Sequence, residues 1–271
     1  MQMVRAISHW AANWALGGEE PEVRRIGLQD LRRSLASGWE DFLAIPTQLV
    51  FLCVLYPLFA FILCRIAFGY EMLPLIYPLA AGFALIGPFA GTGLYELSRR
   101  RESGLPVSWL NTFDVLRSPA LFSIAAMGVV LVAIFVLWIA AAKAIATATI
   151  GSGAQATFGD FLRLAFTTDA GWKMIVLGNF VGFLFAALAL ALSVVSFPLV
   201  LDRNIGPLLA MRTSVRAVLT NPVPMAAWGL IVAGSLVIGC LPAFMGLAVV
   251  FPVLGHATWH LYRAVVARGR R

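Results

Sequence analysis

The chain has 271 residues, 61% of them apolar and only 12% charged, with a mean hydropathy of +0.88. That balance excludes an ordinary soluble domain and makes lipid the main solvent. The net charge of +7 does not point to nucleic acid, because the arginines gather beside apolar runs, where a membrane explains them better. Of the three cysteines, Cys53 and Cys64 lie about three turns apart on one expected helix and Cys240 stands alone, so neither a disulfide framework nor a redox pair follows.

Residues 1–22 read as a tail outside the membrane domain. Ile7, Trp10, Ala11 and Trp14 share one helical face, and Gly17 to Pro21 supplies a flexible linker. Such a helix either anchors at the interface through its tryptophans or docks on a partner. No apolar run precedes Pro46, which argues against a secretory signal.

Residues 27–101 set out the plan of the rest: a polar helical approach, then two apolar runs ending in Arg99, Arg100 and Arg101. In the approach, Leu28, Leu31, Leu35, Trp39, Phe42 and Leu43 step by three and four, as in a helix lying on the membrane surface. The runs 46–68 and 74–97 each exceed the roughly 20 residues that cross ~30 Å of hydrocarbon, with Pro57 and Pro88 marking kinks. A shorter approach follows, with Trp109, Leu110, Phe113 and Leu116 on one face, and a third run covers 119–142. Thr157 and Asp160 fit a capping box for a short helix on the far face, and a fourth run, 172–201, kinks near Pro198. The last approach places Leu208, Met211, Val215 and Val218 opposite Arg212 and Arg216. Residues 225–266 would be ~63 Å long as one helix, so they must cross twice, as 224–241 and 243–263, turning near Cys240.

The expected fold is therefore all-α: a polytopic bundle over 23–268 of six transmembrane helices in three hairpins, each preceded by a cytoplasmic amphipathic helix, with 269–271 as a basic end. All but Arg65, Lys143, Arg163 and Lys173 of the 20 basic residues fall on one side. The positive-inside rule puts both termini there, in the cytoplasm.

Four motifs carry a resemblance. They are Gly38-Trp39-x-Asp41-Phe42; Gly87-Pro88-Phe89 with Tyr95-Glu96-x-Ser98-Arg99-Arg100; Phe197-Pro198-Leu199 with Leu201-Asp202-Arg203; and Phe251-Pro252 with Gly255-His256-Ala257-x-Trp259-His260. Over about 23–268 the chain resembles a bacterial family of predicted integral membrane proteins known only as a domain of unknown function. The resemblance implies a six-helix protein of the bacterial inner membrane and transfers no activity.

The spacing of the polar residues defines a candidate site. Glu96 and His260 each lie eight residues after a helix proline, Asp202 and His256 four, and Arg99 and Arg263 eleven. If the hairpins pack around a pseudo-threefold axis, Glu96, Arg99, Asp202, Arg203, His256, His260 and Arg263 converge at the cytoplasmic mouth. His256 and His260, at i and i+4, share a face and could ligate a metal or a haem, but only Glu96 and Asp202 stand ready as further ligands. The competing reading is that these groups pair with arginine or snorkel to the interface, so no cofactor is expected. Asn179 either lines a path or hydrogen-bonds a neighbouring helix. Gly87 with Gly91, Gly178 with Gly182, and Ser235 with Gly239 put small residues one turn apart, as in close helix packing.

The chain carries no P-loop, His-Glu-x-x-His or nucleophile elbow, and its membrane runs are nearly free of the acids on which proton pumps depend. The reading favoured is a non-enzymatic accessory, assembly or stabilising component of a membrane complex, with the bilayer and another membrane protein as partners and Trp10, Trp14 and Trp39 as interfacial contacts. A transporter of a small or amphiphilic solute and a haem or metal protein are the alternatives.

Overall fold

The computed structural model describes residues 20–45, 75–151, 158–241 and 245–268. Among them the chain is helical, apart from an isolated antiparallel bridge between Val23 and Val266. The helices are α1 (Leu28–Ala44), α2 (Ile76–Ala90), α3 (Thr92–Glu102), a 3-10 helix (Trp109–Arg117), α4 (Leu121–Ile150), α5 (Phe158–Thr167), α6 (Asp169–Ser193), α7 (Ser196–Arg203), α8 (Pro207–Thr220), α9 (Pro222–Cys240) and α10 (Leu247–Val265).

Three stretches among the described residues are long and apolar enough to cross a membrane: Leu121–Ile150, Asp169–Arg203 and Pro222–Cys240. They leave Val136, Phe183 and Leu230 exposed, which costs little against lipid tails. The expected span 46–68, Cys53 and Cys64, and the tail with Trp10 and Trp14 lie outside the described residues. The expected span 74–97 is not one helix. It breaks at Gly91, three residues after Pro88, and the Thr92 hydroxyl donates to the Phe89 and Pro88 carbonyls at the end of α2, at 2.7 and 3.3 Å. The run 172–201 breaks at Val194 and Val195, which sets Pro198 in the first turn of α7, where its missing N–H leaves no bond unmade.

The chain divides into two compact units. In the first, which holds α1, α3, the 3-10 helix and α7 to α10, α10 runs through the middle and packs on α1, α3, α7 and α9. Gly38 lets α1 meet α10 backbone to backbone, since a Cβ there would lie 2.6 Å from the Ala257 amide nitrogen. Gly255 does the same against the Leu94 side chain and Gly93 against Thr112. Trp228, Trp259, Tyr262 and Phe197 fill the core. Asn221, at the start of α9, holds the chain ahead of α1: its side chain accepts from the Ile26 N–H at 2.8 Å and donates to the Arg24 carbonyl at 3.0 Å.

The amphipathic approaches are oriented differently from the sequence expectation. The buried side of α1 is Leu31, Ser34, Gly38, Asp41 and Phe42, so Leu31 and Phe42 of the expected stripe are buried while Leu28, Trp39 and Leu43 are exposed. On α8 the buried side is Ala210, Ser214 and Ala217, with Leu208 and Leu219 outside. Small residues win the protein-facing side because they admit closer backbones. The second approach is a 3-10 helix, in which Leu110, Phe113 and Leu116 line up at i+3 and stay exposed.

The second unit holds parts of α2, α4 and α6 together with α5. Trp138 is its hub. The indole donates to the Pro78 carbonyl at 2.9 Å, packs on Phe185 and contacts the backbones of Gly82 and Gly182 closely. A Cβ at Gly182 would lie 2.9 Å from the Trp138 ring and, in the first unit, one at Gly239 2.8 Å from Leu247, whereas Gly178 faces open space. Asn179 bridges two helices, accepting from the Tyr77 hydroxyl at 2.9 Å and donating to Ile175 O within its own helix.

Candidate functional site

The polar residues of the first unit gather where α1, α3, α7 and α10 meet. Gly38 sets α1 against α10 so closely that Asp41, one turn later, is buried among groups on two other helix faces. One Asp41 carboxylate oxygen accepts from the Ser98 hydroxyl at 2.5 Å and from His260 Nε2 at 2.9 Å, and the other accepts from Arg101 at 2.5 Å. Burial pushes the Asp41 pKa upward, but the hydrogen bonds from His260 and Ser98, with the attraction of the two histidines, outweigh it and hold the carboxyl below its ordinary value of 3.8.

Ser98 is fully buried and also lies 2.8 Å from His256 Nδ1. Its single proton is committed to Asp41, so His256 Nδ1 must be the donor in that contact. The chain of donation then runs from His256 to Ser98 to Asp41, and His256 Nε2 is buried with no hydrogen-bond partner among the described residues. These are the residue types of a nucleophilic triad in the wrong order. An activated serine gives its proton to the histidine, whereas here it gives it to the acid, and no surface of Ser98 is open to a substrate.

Two further knots flank this one. Arg99 grips Glu96 with both ends of its guanidinium, at 2.7 and 2.9 Å, and that hydrogen bond raises the arginine's already high pKa. Arg100 reaches Asp114, which Asn111 also holds. On the other side Glu102 accepts from the Trp259 indole at 2.9 Å, from Arg263 and from Arg268. Arg263 continues to Asp202 at 3.2 Å and lies over the Trp259 ring, and the Tyr262 hydroxyl donates to Asp202 at 2.5 Å.

Of the residues the sequence grouped, Glu96, Arg99, Asp202 and Arg263 are thus engaged in neighbouring ion pairs on α3, α7 and α10. Arg203 is not: its guanidinium donates to the Ala267 carbonyl. The two histidines share a face as expected, yet their acidic partner is Asp41, because Glu96 and Asp202 are taken by arginines. Among the described residues no three His, Cys, Asp or Glu side chains are arranged to hold a metal ion, so the expected supplementary ligands do not complete such a site.

Sequence spacing missed Asp41, Ser98, Arg101 and Glu102. Asp41 and Ser98 stood inside two of the motifs quoted above, and the signal that could have found them was polarity on the small-residue face of an otherwise apolar-patterned helix.

Comparison with curated proteins and with solved structures yields no match. The match to a family model takes in α2 to α7, with the Glu96 and Asp202 motifs, and leaves out α1 and α8 to α10, including the Asp41 and His256 motifs. Residues 76–202 match the model of a family described as predicted integral membrane protein (DUF2189), a domain of unknown function.

Proposed function

We propose that this integral membrane protein is a non-enzymatic accessory or stabilising component of a membrane complex, seated in the bacterial inner membrane with six crossings and both termini cytoplasmic. The observation that carries the reading is the saturation of the site. Asp41, Glu96, Glu102 and Asp202 each meet at least one arginine or histidine. Groups disposed in this way hold helices together and do no chemistry on a substrate. The apolar residues left exposed on α4, α6 and α9 offer surface to lipid and to a partner helix, as transmembrane association through packing requires.

The test is purification of the tagged protein in a gentle detergent, read by mass spectrometry together with an absorption spectrum. A stoichiometric membrane partner, lost when residues 1–22 are deleted, is the expected result. A solitary protein that moves a solute in proteoliposomes overturns the proposal in favour of transport, and a Soret band overturns it in favour of haem at His256 or His260.

A further inference from the structure

In the second unit the end of α4 and the start of α6 border a shallow, open groove of about 750 Å³. Thr149, Asp169 and Lys173 stand at its rim, and Trp172, Val176 and Phe180 form its wall. The wall residues follow one stripe of α6 at i, i+4 and i+8, so the apolar strip runs ~12 Å along the helix, away from its polar end. That wall is built to stay in place. The Trp172 indole donates to the Phe166 carbonyl at 3.1 Å, and Gly171 lets α5 fold back tightly, since a Cβ there would lie 2.2 Å from the Leu164 oxygen.

The rim is unusual in its charges. Asp169 and Lys173 are one turn apart in the order that favours a helical ion pair, yet among the described residues neither pairs with the other or with anything else. The Thr149 hydroxyl spends its proton on the Ile145 carbonyl at 2.7 Å, leaving oxygen lone pairs to accept. The groove therefore presents two acceptors and one cationic donor at the end of a membrane-spanning helix, above an apolar strip.

We propose that this groove binds a zwitterionic phospholipid with a primary ammonium, a phosphatidylethanolamine. Asp169 and Thr149 accept from its ammonium, Lys173 pairs with its phosphate, and one acyl chain lies along Trp172, Val176 and Phe180. Lipid tails are as apolar as this wall, so the strip accommodates a chain without selecting one. Selection resides in the rim. An anionic headgroup leaves Asp169 unmatched, and a quaternary ammonium cannot donate to Asp169 or Thr149. The proposal is independent of the accessory role.

Native mass spectrometry of the full chain, delipidated and then offered phosphatidylethanolamine, phosphatidylcholine or phosphatidylglycerol in micelles, tests it. The expected result is about tenfold stronger retention of phosphatidylethanolamine than of the other two, as one or two charge-assisted hydrogen bonds provide. Asp169→Asn should abolish the preference over phosphatidylcholine, Lys173→Gln should weaken retention of both, and Val176→Trp should block all three. Equal retention of phosphatidylglycerol by the unaltered protein, or no change on Asp169→Asn and Lys173→Gln, overturns the proposal.

Discussion

Replacing Asp41 by Asn keeps the shape of the side chain and removes its charge. Asp41 is 6% exposed and receives three hydrogen bonds, two of them from basic side chains on α3 and α10. Hydrogen bonds to a charged group are worth about 1.5–3 kcal/mol each, which sets a gross loss of roughly 4–9 kcal/mol. Two effects reduce it: the Asn carbonyl still accepts one bond, and Arg101, at 40% exposure, can turn to water. The cost of breaking a buried charge pair then suggests a net loss of about 3 kcal/mol. Circular dichroism of the protein in a mild detergent, titrated with a denaturing one, measures it. The pH dependence supplies a second reading with a definite sign. Because the folded carboxyl titrates below its ordinary value of 3.8, its contribution is complete above that pH and is lost as the pH falls through the folded value. The gap between the two proteins should therefore be full at neutrality and close only in acid, below 3.8, as the pH falls through the folded value. A loss under about 1 kcal/mol, or a gap that does not close in acid, would refute the reasoning.

Gly38→Ala should force α1 away from the Ala257 backbone and destabilise the protein by about 1–3 kcal/mol, measured in the same titration, whereas Gly178→Ala, which faces open space, should be near neutral. Asn221→Ala leaves the Ile26 N–H and the Arg24 carbonyl without their partner, so hydrogen exchange at residues 22–27 should accelerate, with a cost of about 1–3 kcal/mol. Tyr77→Phe removes the bond to Asn179 and should cost only about 0.6 kcal/mol, because a polar group within the bilayer finds other partners when its own is lost. A loss several times larger would mean that this contact organises the second unit.

Membrane character was plain in the residues, since a run such as 121–150 has no stable arrangement in water and its length alone suffices to cross hydrocarbon. The breaks near Pro88 and Pro198 were also readable, because a missing N–H acts locally wherever the helix goes. The candidate site was half legible. Glu96 with Arg99 could be seen as an i, i+3 pair on one helix, and His256 with His260 as an i, i+4 face, for periodicity reports neighbours within an element.

Which elements meet is another matter. Asp41 finds Ser98 across 57 positions and His260 across 219, and nothing in local pattern relates them. Their meeting depends on Gly38 fitting against Ala257, a matter of shape between two helices, and shape at a crossing is decided by every residue that packs there. The same cause turned α8 from its apolar stripe to its small-residue side and α1 in part, where Ser34 and Gly38 are buried beside Leu31 and Phe42: a helix bordered by both lipid and protein can bury either, and the closer backbone approach decides. The sequence by itself thus determined the solvent, the all-helical class and the neighbourhood of two breaks. Only the tertiary structure decided the pairing of the acids, because it is the crossing of particular helices that selects which arginine or histidine each carboxylate can reach.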